Sequence, residues 1–285
     1  MAIITFKSNE RKETGQTLSL AAVATQLAIE HNYKVLVVST SFQEQILENC
    51  FWELDRLNNP AVGGMFQKSA VGIESGIEGL IKVLVSNRTS PEIVRNYSKI
   101  VLRDRLDVLL APKTTDYKDY ANISASYAEI LQLANRFYDL ILVDLSNRLP
   151  EQDAENIVQM SDIVVMNLTQ RLRSIDDFAE LRDNNEFYKK KNIMLLIGRY
   201  DTFSKYNIKN ITRYLKEKGG IKAIPYNTLF FEACSEGKIV DFFLRLKNVT
   251  DETDRNYVFL REVSKTANDI IYKLQELQMK NQSLR

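Results

Sequence analysis

Seven short apolar runs recur along the chain, each bounded by polar residues. They read AIITF, KVLVVS, LDVLLAP, YDLILVDL, DIVVMNL, NIMLLIG and IKAIPY, and they start at positions 2, 34, 106, 138, 162, 192 and 221. Near-continuous runs of β-branched and other apolar residues are typical of strands that are buried on both faces. The pattern therefore predicts a mainly parallel central sheet that is covered by helices on each side.

The segments between these runs show the apolar spacing of helices. They cover residues 18–30, 76–87, 126–135, 174–190 and 208–218. A last helix is expected at about 255–285, where Ile270, Leu274 and Leu277 have helical spacing. We expect it to pack on its own domain, although a membrane surface or a partner also suits it. Strands that alternate with helices indicate an α/β sandwich in three layers.

The length and organisation of the chain fit one folded unit. Its 285 residues are enough for a single large α/β domain or for two smaller ones. No tandem repeat or low-complexity linker divides the sequence, and the least regular part is residues 42–97, with a loop-like stretch NNPAVGGMFQKS at 58–69. We therefore interpret residues 1–285 as one domain.

Composition restricts the environment of the protein. Basic and acidic residues nearly cancel, at 38 against 37, so no net charge favours nucleic acid or an anionic membrane. Cys50 and Cys234 have no CxxC spacing, which favours reduced thiols in a cytoplasmic protein and leaves a disulfide open. The start of the chain lacks a signal-peptide pattern, and no apolar run approaches the roughly 20 residues that span a bilayer. We expect a soluble, cytoplasmic protein.

The first apolar run leads through the stretch KSNERKETGQT, at positions 7–17, into a helix. Phosphate-binding loops occupy such strand-to-helix turns, because backbone amides and the helix dipole attract anionic oxygens there. A lysine and a hydroxyl complete the loop by holding phosphate and magnesium. Gly15 and Thr17 suit this chemistry, whereas Gln16 stands at the lysine position and carries no charge.

This loop, together with the segments that follow it, resembles the ParA/MinD family of deviant P-loop ATPases, whose loop reads approximately KGGxGK[ST]. Aligned with that pattern, the positions of the nucleotide loop are Arg11, Lys12, Glu13, Thr14, Gly15, Gln16 and Thr17. The last glycine and the hydroxyl match, and the other positions differ. The resemblance therefore implies a degenerate Walker A loop.

Later segments follow the order of the same family. YDLILVDLSNRLP resembles the Walker B strand, which makes Asp144 and Thr17 the magnesium-side residues. NIMLLIGRY resembles a strand that ends in an Asn-Arg pair, with Gly198 in place of the base-reading asparagine and Arg199 retained. AIPYNTLFFEACSEGKIV resembles the segment that borders the base, which adds Pro225 to the nucleotide-binding residues. The resemblance implies a P-loop sandwich, with ATP and Mg²⁺ as possible cofactors.

The charge of Glu13 bears on ATP binding. A carboxylate about 4 Å from a phosphate opposes binding by about 4 kcal/mol at an effective dielectric near 20. Three alternatives stay open: Arg11 and Lys12 offset the repulsion, Glu13 points into solvent, or Glu13 itself occupies the anion-binding helix terminus in place of phosphate.

A second departure lies after the second apolar run. Many relatives have an acidic residue there that positions magnesium or the attacking water, whereas this chain offers Ser39 and Ser41. Glu44 follows nearby, but its spacing does not establish equivalence. The alternative for Asp144 is an ordinary aspartate in a strand-end loop.

These features favour a degenerate ParA/MinD-like localisation or assembly factor that is impaired in nucleotide binding, a pseudo-ATPase. A weakly active ATPase for positioning or DNA partition is the alternative. For DNA, a basic patch of Lys189 to Lys191 with Arg171 and Arg173 would contact the backbone. A solvated helix end also explains those residues.

The resemblance also implies partners. Arg11 stands where the signature lysine of relatives reaches across a dimer interface, which implies a homodimer, while a solvated arginine is the alternative. The segment DRLDVLLAP, at 104–112, is similar to the TadZ/CpaE branch of the superfamily. That similarity implies pilus or secretion assembly proteins as partners.

Overall fold

The sheet of the protein has eight strands. The computed structural model describes residues 1–10, 13–53, 76–85, 90–190 and 192–283. Its strands are β1 (Ala2–Lys7), β2 (Val35–Ser39), β3 (Lys99–Leu102), β4 (Leu106–Leu109), β5 (Leu140–Asp144), β6 (Ile163–Leu168), β7 (Ile193–Tyr200) and β8 (Ile221–Pro225). They are arranged in the order β3-β4-β2-β5-β1-β6-β7-β8, and all neighbours are parallel except β3 and β4. The predicted mainly parallel sheet is confirmed.

Helices connect the strands and cover both faces of the sheet. They are α1 (Gln16–Glu30), α2 (Ile46–Phe51), α3 (Ile77–Leu84), α4 (Ile93–Tyr97), α5 (Tyr117–Ser124), α6 (Tyr127–Ala134), α7 (Glu151–Met160), α8 (Leu172–Asn184), α9 (Glu186–Lys190), α10 (Ile208–Leu215), α11 (Thr228–Ser235), α12 (Ile239–Leu246) and α13 (Arg255–Ser283). Within the described ranges, no helix combines the length and the apolar character needed to cross a membrane.

Alternate residues of each strand contribute to opposite sides of the sheet, as the two-residue period of a strand requires. On β1, Ile4 and Phe6 pack in the core that contains α1 and α13, whereas Ile3 packs in the core that contains α6 and α7. The structure therefore has helix, sheet and helix layers.

Helix α1 is enclosed on most of its surface by the sheet and by neighbouring helices. Its side chains from Leu20 to Ala24, and that of Leu27, have no exposed surface. Three of these residues are alanines, whose small side chains let the helix lie close to the sheet and to α13. The helix is thereby held firmly, and its N-terminus stays at the carboxyl ends of the strands.

Several elements differ from the sequence prediction, among them the short helices α2, α4, α5, α7 and α12, which it did not include. Strand β3, at Lys99–Leu102, was missed because it is a half-buried edge strand that pairs antiparallel with β4 alone. The helix predicted at 174–190 is two helices, because the chain leaves helical geometry at Asn185, whose side chain accepts a hydrogen bond from the Phe187 amide at 2.9 Å. The loop predicted at 58–69 lies outside the described residues.

The strand order brings three loops together. Strand β1 lies between β5 and β6, and Asp144 at the end of β5 is in register with Phe6 of β1 and Ser39 of β2. The loops that follow β1, β2 and β5 therefore meet at the carboxyl edge of the sheet. Ligands of open α/β sheets bind at such an edge, where the strand order reverses.

Candidate functional site

The loop after β1 makes a sharp turn into α1 at Gly15. The φ of Gly15 is 71°, in the left-handed region that glycine adopts without strain. A Cβ atom at this position would lie 2.9 Å from Cγ of Arg199. Gly15 is therefore required both by its backbone conformation and by the close approach of Arg199.

Gln16 joins this turn to β5. Its Nε2 donates to Oδ1 of Asp144 at 2.7 Å and to the carbonyl oxygen of Leu145 at 3.1 Å. The residue is buried, so these bonds form away from bulk water. Both amide hydrogens of Gln16 are thus used within the protein, at the position where a phosphate lysine would stand.

Thr17 completes the pairing of the two segments. Its hydroxyl donates to Oδ2 of Asp144 at 2.8 Å, so each carboxylate oxygen of Asp144 accepts from a side chain of the α1 N-terminus. Burial raises the pKa of Asp144, the two hydrogen bonds partly lower it, and the charge of Glu44 raises it further. The structure brings together the magnesium-side residues that the sequence predicts.

Asn167 supports the loop from the other side. Its Nδ2 donates to the carbonyl oxygen of Thr14 at 2.6 Å, and the Thr14 hydroxyl accepts from the Gln16 amide at 3.2 Å. A Cβ atom at Gly198 would lie 2.6 Å from that same Thr14 oxygen and 3.1 Å from Nδ2 of Asn167. Gly198 therefore fills a packing role here. Asn167 was missed at the sequence level, where its one signal is a polar residue inside an apolar run.

Glu13 points away from the helix terminus. Its Oε2 accepts from the Arg171 guanidinium at 2.8 Å, and both side chains are more than half exposed. Its φ is 58°, a left-handed backbone conformation that is uncommon for residues other than glycine. The hypothesis that Glu13 replaces phosphate is therefore wrong, because its carboxylate is held at the surface by Arg171. Arg11 and Lys12 lie outside the described residues, and their roles stay predictions.

The loop after β2 is tied to β5 by Thr40. Its hydroxyl donates to the carbonyl oxygen of Asp144 at 2.9 Å and accepts from the Ser146 amide at 2.8 Å. Ser41 and Glu44 of the same loop face the cleft beside Asp144. Glu44 is therefore the acidic residue that this loop offers to the cleft.

The cleft enclosed by these loops has a volume of about 370 Å³. Four acidic residues line it, Glu10, Glu13, Glu44 and Asp144, and the carboxylate of Glu13 is paired with Arg171. Among the lining residues that the structure describes, the guanidinium of Arg199 is the one cation. This part of the cleft is therefore predominantly negative.

Arg199 and Pro225 lie together on the side where the resemblance places the base. The Arg199 guanidinium lies 5.8 Å from the ring centre of Tyr226, and its φ of 53° marks a break at the end of β7. The cavity between these residues and α11 measures about 20 Å³. That volume holds about one water molecule.

The predicted DNA patch is divided among local ion pairs. Lys189 pairs with Glu186 at 2.8 Å and Arg173 approaches Asp177 at 3.8 Å, while Arg171 is bound to Glu13. The side chain of Lys190 and all of Lys191 lie outside the described part of the chain. No group of three or more metal-ligating His, Cys, Asp or Glu side chains occurs in the described part.

Several solved structures match this architecture over nearly their whole length. A ParA family ATPase from Chlorobium tepidum TLS superposes with a TM-score of 0.68 at 17% identity, over 93% of this chain and 97% of that chain. The fold is that of the ParA/MinD ATPases. The cell division ATPase MinD of Pyrococcus furiosus gives 0.64 at 14% identity, over 97% of this chain and 100% of that chain.

A third similar structure was solved with a nucleotide. The septum site-determining protein MinD of Pyrococcus horikoshii OT3, complexed with Mg-ADP, gives a TM-score of 0.61 at 13% identity, over 95% of this chain and 97% of that chain. No family model and no curated protein matches the sequence of this chain. At these identities the likeness establishes the three-layer P-loop fold.

The residues of the cleft can be compared with what a complex with Mg²⁺ and a nucleotide requires. The Thr17 hydroxyl and the Asp144 carboxylate are oxygen ligands of the kind that Mg²⁺ prefers. The phosphate side lacks its lysine, since Gln16 is neutral and bonded to Asp144 and Leu145. The described residues therefore match the magnesium side of a nucleotide site and lack the charge of its lysine.

Proposed function

We propose that the protein is a localisation or assembly factor of the ParA/MinD kind that is impaired in nucleotide binding and acts without ATP turnover, as a pseudo-ATPase. The observation that carries this proposal is the pair of hydrogen bonds from Gln16 to Asp144 and Leu145. In a working P-loop the corresponding lysine reaches the phosphates. Here a neutral amide joins the loop to β5 and donates to a buried carboxylate.

The electrostatics of the cleft support the proposal. A triphosphate is strongly anionic, and carboxylates near it oppose its binding unless cations or Mg²⁺ intervene. The described lining has four acidic residues, one of which is paired with Arg171, and one guanidinium. Nucleotide binding would therefore require charge compensation beyond what the described residues provide.

A homodimer is part of the proposal, supported by Arg11 at the signature-lysine position of the resembling family. The segment at 104–112, which contains β4, supports pilus or secretion assembly proteins as partners through its similarity to the TadZ/CpaE branch. The free thiols Cys50 and Cys234 support a cytoplasmic location, since reduced cysteines are usual there.

A weakly active positioning ATPase is the second candidate. The observation in its favour is the bond of 2.8 Å between Thr17 and Asp144, which keeps both magnesium-side groups at the α1 N-terminus. In that case Mg²⁺ would supply charge neutralisation at these two oxygens, and Gln16 would have to leave Asp144.

Phosphate release from MgATP separates the two candidates. The pseudo-ATPase proposal predicts no release above background for the wild-type protein, for Asp144→Asn or for the exposed control Asp119→Asn. The weak-ATPase alternative predicts release that Asp144→Asn abolishes and Asp119→Asn preserves. That second pattern would contradict the proposal.

A further inference from the structure

A second and larger cavity lies at the opposite end of α1. It is a groove of about 600 Å³ between the last turns of α1, the end of α12 and the first half of α13. Gln26, on its wall, follows Gln16 by ten residues, which is about 15 Å along the helix. The groove is therefore separate from the cleft at the carboxyl edge of the sheet.

The floor of this groove is apolar. Ile29 of α1, Phe243 of α12 and Leu260 of α13 line it, with Tyr257 and Tyr272 at its sides. The Tyr272 side chain is 64% exposed. The volume of the groove falls in the range of protein ligand sites, about 300 to 1,000 Å³. The groove offers apolar surface that a ligand would cover.

Basic side chains border the floor. Lys247 follows α12, and Arg261 and Lys265 lie on α13. Within the described part of the chain, neither Lys247 nor Lys265 has a carboxylate at ion-pair distance. Arg261 has only the adjacent Glu262, at 3.2 Å.

The two carboxylates that line the groove are already engaged. Glu30 accepts from the Ser264 hydroxyl at 3.1 Å, and Asp269 pairs with Lys222. Three cations and two carboxylates therefore line the groove, an excess of one positive charge, and both of its lysines lack a carboxylate at ion-pair distance in the described part of the chain. An acidic ligand complements this rim.

We propose that this groove, called here the α1–α13 groove, binds an acidic amphipathic helix of a partner protein. Recognition of a helix in a groove uses apolar anchors at helical spacing, and the floor of the α1–α13 groove provides the surface for them. Carboxylates on the flanks of the helix would meet Lys247, Arg261 and Lys265.

The lining of the groove disfavours two other anionic partners. A bilayer surface is broad, so its headgroups would meet the lysines but not the buried side chain of Phe243. A duplex nucleic acid presents phosphates, which suit the lysines, but no apolar side chains for the floor. An amphipathic helix satisfies both parts of the groove.

Fluorescence anisotropy with labelled synthetic helical peptides tests this proposal. The panel has leucine and phenylalanine on one face and glutamate on the other, and a matched panel replaces glutamate with lysine. We expect saturable binding of acidic peptides, at least tenfold weaker binding of the lysine peptides, and a decrease in affinity with added salt.

Variants locate the binding site. Lys247→Glu/Lys265→Glu should weaken binding of the acidic peptides at least tenfold, and Tyr272→Ser should weaken it several-fold through lost apolar contact. The control Lys118→Glu/Lys209→Glu reverses two exposed lysines on α5 and α10 and should leave affinity within twofold. Circular dichroism checks that each variant is folded.

Three results would overturn the proposal. The first is no saturable binding of any acidic peptide to the folded wild-type protein. The second is binding that the groove variants and the control variant reduce equally. The third is that the wild-type protein binds no peptide but binds phosphatidylserine vesicles or duplex DNA, and that Lys247→Glu/Lys265→Glu removes this binding. That result would assign the basic rim to a membrane or to nucleic acid.

Discussion

Gln16 connects the turn before α1 to the end of β5, and its contribution to stability can be measured. Gln16→Ala removes donors to Asp144 and Leu145 and leaves a buried carboxylate with one side-chain donor. We expect the free energy of unfolding to fall by about 2 to 3 kcal/mol, because an under-satisfied buried charge is costly.

Urea denaturation measures that change. Gln152→Ala is the matched control, because Gln152 is exposed on α7 and bonds Asn156 within the same helix. It should change the free energy of unfolding by no more than about 0.5 kcal/mol. Equal effects of the two substitutions would show that the Gln16 bonds do not hold the loop.

Glu48 of α2 gives the protein a pH-dependent stability. It is buried, its Oε1 accepts from the Ala111 amide at 3.0 Å, and Oε2 has no hydrogen-bond partner in the described structure. Burial raises the pKa of Glu48 above its ordinary 4.5, as does the charge of Asp144, while the Ala111 bond and the charge of Lys99 lower it.

The sign of this effect follows from proton linkage. A carboxyl with a raised pKa in the folded state stabilises the fold while it is protonated, and that contribution is lost as the pH rises through the folded-state pKa. Glu48→Gln should therefore unfold like the wild type near pH 4 and be more stable than the wild type at pH 7 to 8. Urea titrations across this pH range measure the free energy of unfolding, and the exposed Glu252→Gln serves as the control. If the stabilities of both variants follow that of the wild type at every pH, the assignment to Glu48 is refuted.

The chemistry of the site could be predicted only in part. The order of the segments identified Thr17 and Asp144, which the structure joins at 2.8 Å. The bond from Gln16 to Asp144 links residues 128 positions apart, and no local pattern encodes such a contact. The pairing of Glu13 with Arg171 likewise depends on how α8 lies beside the loop.

Among the elements, β7 determines how closely the loop after β1 can approach the sheet. Gly198→Ala would place a Cβ atom 2.6 Å from the Thr14 carbonyl oxygen. We expect a loss of about 1 to 3 kcal/mol in the free energy of unfolding, since overpacking displaces backbone. Gly219→Ala is the control, because the nearest atom to its Cβ, at 3.3 Å, belongs to the flexible Glu217 side chain.

Thermal or urea unfolding of both glycine variants gives the comparison. A Gly198→Ala protein as stable as Gly219→Ala would mean that the loop after β1 shifts freely. It would also remove the packing explanation for a glycine at this position.

The elements themselves were predictable where burial is strong. The seven apolar runs became strands because each is covered on both faces, so local sequence and tertiary burial agree. Strand β3 has Ile100 52% exposed and one neighbouring strand, so its short run KIVL gave no comparable signal. The break at Asn185 was equally hidden, because the spacing of apolar residues continues across it.

At the scale of the whole molecule, the α1 helix connects two regions of different chemistry. Its N-terminus holds Asp144 through Gln16 and Thr17, and its C-terminal turns form a wall of the α1–α13 groove. A protein that keeps the ParA/MinD fold without nucleotide turnover would retain rigid surfaces of this kind for partners. The cleft and the groove can be tested independently, because their residues do not overlap.

Isothermal titration calorimetry of the wild-type protein with ATP in the presence of Mg²⁺ tests the central proposal most directly. The proposal predicts no saturable heat for the wild type, because the neutral Gln16 amide is bonded to Asp144 at the position where a phosphate lysine would stand. Saturable binding of MgATP to the wild-type protein at micromolar or lower concentration, lost in Asp144→Asn and kept in Asp119→Asn, would contradict it.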